Sequence, residues 1–312
     1  MDNRPNARIT FAIPFYSTPE FLDAAIRSVL AQTITDWELI VVDDRSPVAG
    51  IKEQVHGYGD ARIRYHLNEK NLGQSGNFNQ GLTLAQTEMV TLLHADDQLH
   101  PKYGETMLKA ASEHHECWAL FCNADIIDGQ GKKIFSFIDF YKRFLVPSRK
   151  STYTLVGEQG LRSLIPGNFI MAPTLCFRKA KLGTLRFSSD WKCSPDLDFT
   201  SRLLFAGGTL VGVPDVAFSY RRHEASATIE FRRSISQFEE EVRLYNYIAI
   251  QSAAICWETA AREASNKRIV KLRLAYFGIQ DPLQLRVKHS LHKLSFALKL
   301  LLSPNRERPA SV

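Results

Sequence analysis

The chain has 312 residues, 45% apolar and 23% charged. That is the make-up of one large or two modest globular domains, and it excludes collagen, a coiled-coil rod and wholesale disorder. The net charge of +6 is uneven: residues 262–312 hold 11 Lys/Arg against 3 Asp/Glu, a net +8, so residues 1–261 carry −2. The basic excess belongs to the tail, and no nucleic-acid partner is expected. Five scattered cysteines (117, 122, 176, 193 and 256) show neither metal-ligand nor disulfide spacing. The first residues lack the apolar stretch of a signal peptide, and no run approaches the roughly 18 apolar residues of a membrane span. The expected location is cytoplasmic, with peripheral contact at an anionic membrane as its limit.

In chain order, residues 8–14 (RITFAIP) read as a strand, and 19–33 as an amphipathic helix with Thr18 as N-cap and Pro19 in its first position. Residues 37–42 (WELIVV) form a continuous apolar strand ending in Asp43-Asp44. Strands at 61–67 and 89–93 flank a helix at 76–86, and Pro101 opens another helix. Further strands are predicted at 118–123, 133–137, 209–213 and 216–220, with a loop over 138–157 and a helix at 195–206. From residue 230 to about 303 the pattern is helical. Apolar strands alternating with helices predict a mainly parallel sheet covered on both faces. Ligands then bind outside the carboxyl ends of the strands, where this chain places Asp43, Asp44, Asp96 and Asp97.

Each polar cluster there has a plain reading and a chemical one. Asp43-Asp44 caps a loop, or accepts hydrogen bonds from a base or ribose. His94-Ala95-Asp96-Asp97 puts two adjacent carboxylates at a strand end, which repel unless a cation or donor satisfies them. Mg²⁺ and Mn²⁺ prefer such oxygens together with substrate phosphates. Asp196 and Asp198 open a helix, where the macrodipole favours them and capping alone explains either; the chemical reading is a general base, which needs a carboxylate held near the reacting hydroxyl. The run Tyr220-Arg221-Arg222-His223 offers guanidinium groups for a diphosphate and an imidazole for a metal. No dinucleotide-binding Gly-x-Gly-x-x-Gly, Walker loop or Gly-x-Ser-x-Gly elbow is present.

Taken in order, these residues resemble inverting family-2 glycosyltransferases of the GT-A fold, over about residues 8–228. The opening ITFAIPFYSTPEFLDAAIRSVLAQTITDWELIVVDDRS, then NLGQSGNFNQGL, LLHADD, PDLD and YRRH stand where that family's motifs fall. Three positions depart from its usual pattern: His94 stands for the first Asp of Asp-x-Asp, Pro195 for a Glu, and Phe78 for a frequent Arg. The resemblance implies a Rossmann-like α/β GT-A domain over 1–229 and a helical extension over 230–312. It implies that Pro14, Tyr16 and Asp44 flank the nucleotide, with Asn79, His94, Asp97, Arg221 and Arg222 also on the nucleotide-sugar. Asp96 and His223 would hold Mn²⁺ or Mg²⁺, and Asp196 would be the catalytic base, with Asp198 second to it. Asn168 and Trp191 are acceptor candidates.

The implied activity is transfer of one sugar from a nucleotide-diphosphate sugar, UDP-sugar favoured, to a glycan or lipid-linked glycan in cell-surface polysaccharide or lipopolysaccharide synthesis. Two alternatives stay open: transfer to a polyprenyl phosphate, and a non-catalytic nucleotide-binding scaffold. Residues 283–303 carry a leucine stripe with Lys288, His292 and Lys299 elsewhere, which reads as a membrane-surface helix or as one packed on the protein.

Overall fold

The computed structural model describes residues 7–223 and 235–283, with Lys293, Ser295, Phe296 and Leu298 beyond them. The predicted stripe over 283–303 therefore lies almost wholly outside the described residues.

The elements run β1 (Ile9–Phe15), α1 (Pro19–Leu30), β2 (Trp37–Asp43), α2 (Ile51–His56), β3 (Ile63–Leu67), α3 (Gly73–Leu84), β4 (Met89–Leu92), β5 (Gln98–Leu99), α4 (Tyr103–Glu113) and β6 (Cys117–Ile127). They continue as α5 (Phe137–Lys142), β7 (Tyr153–Val156), α6 (Gly157–Leu164), β8 (Cys176–Arg178), α7 (Lys179–Leu182), α8 (Pro195–Phe205) and β9 (Thr209–Arg221). The last are α9 (Ile235–Ala254), α10 (Glu258–Asn266) and α11 (Arg268–Leu283).

The strands form one nine-stranded sheet in the order β3-β2-β1-β4-β8-β6-β9-β5, with β7 added on β9. Parallel pairing joins β3, β2, β1 and β4, and again β6 with β9. The short strands β5, β7 and β8 pair antiparallel, so the sheet, mainly parallel along its longer strands, is mixed. All seven residues of β2 are buried, as expected of a strand covered on both faces. Alternation along β1 sends Ile9, Phe11 and Ile13 to one side with Leu22, Ile26 and Val29 of α1, and Ala12 to the other with Phe78 and Leu82 of α3. On that second side α3 lies close to the sheet: a Cβ on Gly81 would stand 3.1 Å from the Ala12 Cβ and 3.2 Å from Leu92 Cδ2.

Several expectations change. Residues 133–137 form no strand, only an isolated bridge between Ile127 and Lys133, because Phe135 stands out in solvent with no neighbouring strand. The two strands expected at 209–213 and 216–220 are one strand, β9, in which Pro214 sits opposite a register shift on β6. A proline cannot donate to a ladder; its carbonyl instead accepts the Asn123 side-chain amide at 2.8 Å. The expected loop over 138–157 contains most of α5 and all of β7. Thr18 is not a side-chain cap: it takes a left-handed φ of 63° and its hydroxyl donates to the Ser17 carbonyl. Pro19 does open α1.

Helices α9 and α11 join the α3-side core through Phe238, Leu244, Ile248 and Leu274. None of the described helices is long and apolar enough to cross a membrane.

Candidate active site

The register of the sheet gathers the polar residues. Phe15 pairs with Asp43, and Asp44 N–H donates to the Phe15 carbonyl at 2.9 Å. Tyr16, 49% exposed, thus leaves the sheet beside Asp44, two residues beyond the half-buried Pro14. Asp43 is a loop anchor: it accepts Ser46 N–H at 2.7 Å and the Tyr65 hydroxyl at 2.7 Å. Asp44 is buried, with Oδ1 accepting the Asn68 amide and Leu72 N–H, both at 2.8 Å. Asn68 also donates to Asn77 at 3.0 Å, and Asn77 donates to the Val42 carbonyl at 3.1 Å. Asn68 and Asn77 escaped the sequence reading; only the buried geometry reveals them as supports of Asp44.

Next along the edge, β4 delivers His94 to Asp97. The Asp96 Oδ2 lies 2.9 Å from His223 Nε2, which arrives from the end of β9. Burial raises the Asp96 carboxyl, but that hydrogen bond and the charges of His94 and His223 outweigh it and hold the group below its ordinary value. Asp97 is pushed well above its ordinary value by burial and then by the charge of Asp96. Its Oδ1 accepts Arg221 N–H at 2.7 Å, while Oδ2 is buried without a hydrogen-bond partner. Ligating atoms of His94, Asp96 and Asp97 all fall within 4.8 Å of one another. An orphaned buried carboxylate oxygen inside a cluster of carboxylates and imidazole suits a hard divalent cation.

His94 and Phe78, two of the three departures from the family pattern, touch. Their rings stack at 5.3 Å with planes 16° apart. Burial lowers the His94 pKa, against the pull of Asp96. Phe78 meets Phe187 edge-on at 5.2 Å, and Phe187 stacks on Phe199 of α8 at 4.1 Å. An aromatic chain thereby connects the end of β4 to the helix carrying Asp196.

Asp196 sits in the first turn of α8 and accepts the Asn168 side-chain amide at 2.7 Å. Burial raises its pKa, opposed by the Lys142 ammonium, by backbone N–H donors and by Asn168. Asp198 is buried against Arg202, at 2.9 Å from Nε and 2.6 Å from Nη2, which removes it as a second base. The turn leading into α8 is held by a residue the sequence did not flag: buried Glu240 of α9 accepts the N–H groups of Lys192, Cys193 and Ser194 at 3.1, 2.6 and 3.3 Å.

Four other candidates take different places. Asn79 is committed to Phe187, donating to its carbonyl and accepting its N–H, both at 2.8 Å; it positions the aromatic chain. Arg221 is buried, with Nε on the Asp96 carbonyl at 2.7 Å and Nη1 on the Asp128 and Gly129 carbonyls at 2.9 and 3.1 Å. Its guanidinium also lies 4.8 Å over the Phe21 ring, which packs at 4.6 Å on His223. Arg221 therefore fastens the loop rather than reaching for a diphosphate, and Phe21 joins the site unannounced by any motif. Arg222 stacks at 5.6 Å over Tyr220. Trp191 meets Tyr247 at 6.1 Å and Arg243 at 5.7 Å, facing α9. Asn168 bonds Asp196 directly.

Carboxylates gathered at the carboxyl ends of the strands stand where an open α/β sheet binds its ligands, and the GT-A fold rests on the likeness to S. aureus TarS. The profile of "Glycosyl transferase family 2" matches residues 10–171, just over half of the chain, and the chain belongs to that family. It superposes on S. aureus TarS 1–349 with a TM-score of 0.64 at 16% identity, covering 95% of this chain and 81% of that one. The same protein with UDP-GlcNAc gives 0.64 at 17%, covering 94% and 81%. The cholesterol galactosyltransferase of Borreliella burgdorferi is 26% identical over 181 residues, 57% of this chain and 46% of that protein. The GalNAc(5)-diNAcBac-PP-undecaprenol beta-1,3-glucosyltransferase of Campylobacter jejuni is 35% identical over 109 residues, 34% of this chain and 35% of that protein. The matched regions span less than half the length of these curated relatives.

Proposed function

We propose that this protein is an inverting glycosyltransferase that moves one sugar from a nucleotide-diphosphate donor, a UDP-sugar by preference, to a hydroxyl of a lipid-linked glycan in cell-surface polysaccharide or lipopolysaccharide synthesis. The observation that carries the reading is the convergence of Asp96, Asp97 and His223 at the strand ends where Asp44 also lies. The UDP-GlcNAc bound to TarS and the diphosphoundecaprenol named for two relatives support the donor and acceptor classes.

Tyr16 offers an exposed ring for the base, and Asp44 a carboxylate for base or ribose. Asp96 and His223, with His94 and Asp97 beside them, are the residues that would hold Mn²⁺ or Mg²⁺. Such an ion, when bound, supplies positive charge beside the leaving diphosphate. Asp196 takes the proton of the acceptor hydroxyl, whose oxygen forms the new bond to the anomeric carbon as the bond to the diphosphate breaks on the opposite face. Burial helps this base by lifting its pKa toward the working pH. Residues 1–229 act as the catalytic unit, and the helices after them brace α8 through Glu240.

The test is turnover. Wild-type protein with a UDP-sugar and lipid-linked acceptor should release UDP and give a product of inverted anomeric configuration. Asp196→Asn should keep donor affinity and lose about 10²–10⁴-fold in transfer. Near-normal transfer by that variant would refute the assignment of the base.

A further inference from the structure

We propose that residues 132–150 form a docking surface for an anionic lipid bilayer. This goes beyond the reaction itself and does not depend on the donor.

Three observations converge on this segment. The first is an aromatic ladder: Phe135 meets Phe140 at 5.6 Å and Phe140 meets Phe144 at 5.2 Å. Phe135 is 75% exposed and Phe144 64%, with Tyr141 also in solvent. Large rings exposed side by side are uncommon on a surface meant only for water. The second is charge. Residues 129–150 hold six Lys/Arg and one Asp, a net +5, so the rest of residues 1–261 carries −7. Cations are thus concentrated where the rings are, and Lys132, Arg143, Arg149 and Lys150 are exposed. Arg149 lies 4.9 Å over the Phe144 ring. Rings that enter the headgroup layer, ringed by cations that stay at its surface, make the pattern of an interfacial anchor.

The third observation is location. Ile134, Phe135, Phe140, Lys142 and Arg143 wall a cavity of about 190 Å³ that Phe169 and Met171 also line. Phe169 follows Asn168, which holds Asp196, and the Lys142 charge lowers the Asp196 pKa. A bilayer seated on the ladder would lie against residues that wall this cavity, one of which, Lys142, is near enough to Asp196 for its charge to be felt there. The occupant is an anionic bilayer because the patch carries both apolar rings and excess positive charge, whereas the sequence alone pointed to the tail at 283–303 for this role.

The test is flotation of the full chain with vesicles of phosphatidylglycerol or of phosphatidylcholine, at low and high salt. The wild type should float with phosphatidylglycerol only, less so at high salt. Phe135→Ser with Phe144→Ser should abolish flotation, and Arg143→Gln with Lys150→Gln should weaken it about tenfold or more. Unchanged melting temperatures would show that these variants fold. Absence of wild-type flotation overturns the proposal. So does undiminished flotation of both variants, which would move the contact to the tail. A wild-type dimer that the Phe variant turns into a monomer, with no vesicle binding by either, would make the patch a self-interface and overturn it too.

Discussion

Arg221 and Asp196 show how little a residue's type says about its task. Arg221 has every described guanidinium bond inside the protein, on the carbonyls of Asp96, Asp128 and Gly129. Removing it orphans buried acceptors, at about 1–3 kcal/mol for the exposed penalty. Arg221→Ala should therefore lower stability in urea unfolding by that amount. A variant as stable as wild type, with only diphosphate affinity lost, would return Arg221 to a ligand role. For Asp196 the sign follows from its environment. Burial raises its pKa and Asn168 lowers it; the base works only when deprotonated. Transfer should thus fall as pH drops through a value above that of an ordinary aspartate. Asn168→Ala removes a donor that favours the anion and should move this acid limb to higher pH. A pH–rate profile unmoved by Asn168→Ala would contradict the coupling.

At the scale of elements, α8 is the piece that must be aimed. Asp196, the proposed base, is fixed from three directions: the aromatic chain through Phe187 and Phe199, the Asn168 bond, and the Glu240 carboxylate on the preceding turn. Glu240→Ala leaves three N–H groups without their acceptor, so a loss of about 1–3 kcal/mol is expected. The larger effect should be kinetic, because displacement of a catalytic group by about 1 Å costs up to 10²-fold. Donor affinity should persist, since Glu240 touches no residue of the nucleotide side; a parallel loss of UDP binding would contradict this division. What could be read from sequence follows the same scale. The runs of β1, β2 and β4, and the acids at the ends of β2 and β4, are legible because burial on both faces and strand-end position are local properties. The short strands β5, β7 and β8 were missed because their pairing partners lie far along the chain. The same distance hid the commitments of Asn79 to Phe187 and of Arg221 to Asp96, each across more than a hundred residues. Asp198 read as a second base because an Arg four residues on is a helix pattern as well as a salt bridge.

For the molecule as a whole, the parallel strands β1, β2 and β4 turn one edge of the sheet into a row of acids, and β9 closes it with His223. Burial and the neighbouring Asp96 charge disfavour ionised Asp97 until a counter-charge arrives, so the protein should be markedly more stable with its ligands than without. A ligand that binds only the folded state adds about 2.7 kcal/mol at a hundredfold excess over its dissociation constant. The most direct measurement is the melting temperature with UDP in Mn²⁺ and in EDTA, for the wild type and for Asp96→Ala. The wild type should be stabilised by UDP only when Mn²⁺ is present, and Asp96→Ala by neither. UDP stabilisation that survives EDTA and the loss of Asp96, or none under any condition, would contradict a metal-assisted nucleotide-sugar site at these strand ends.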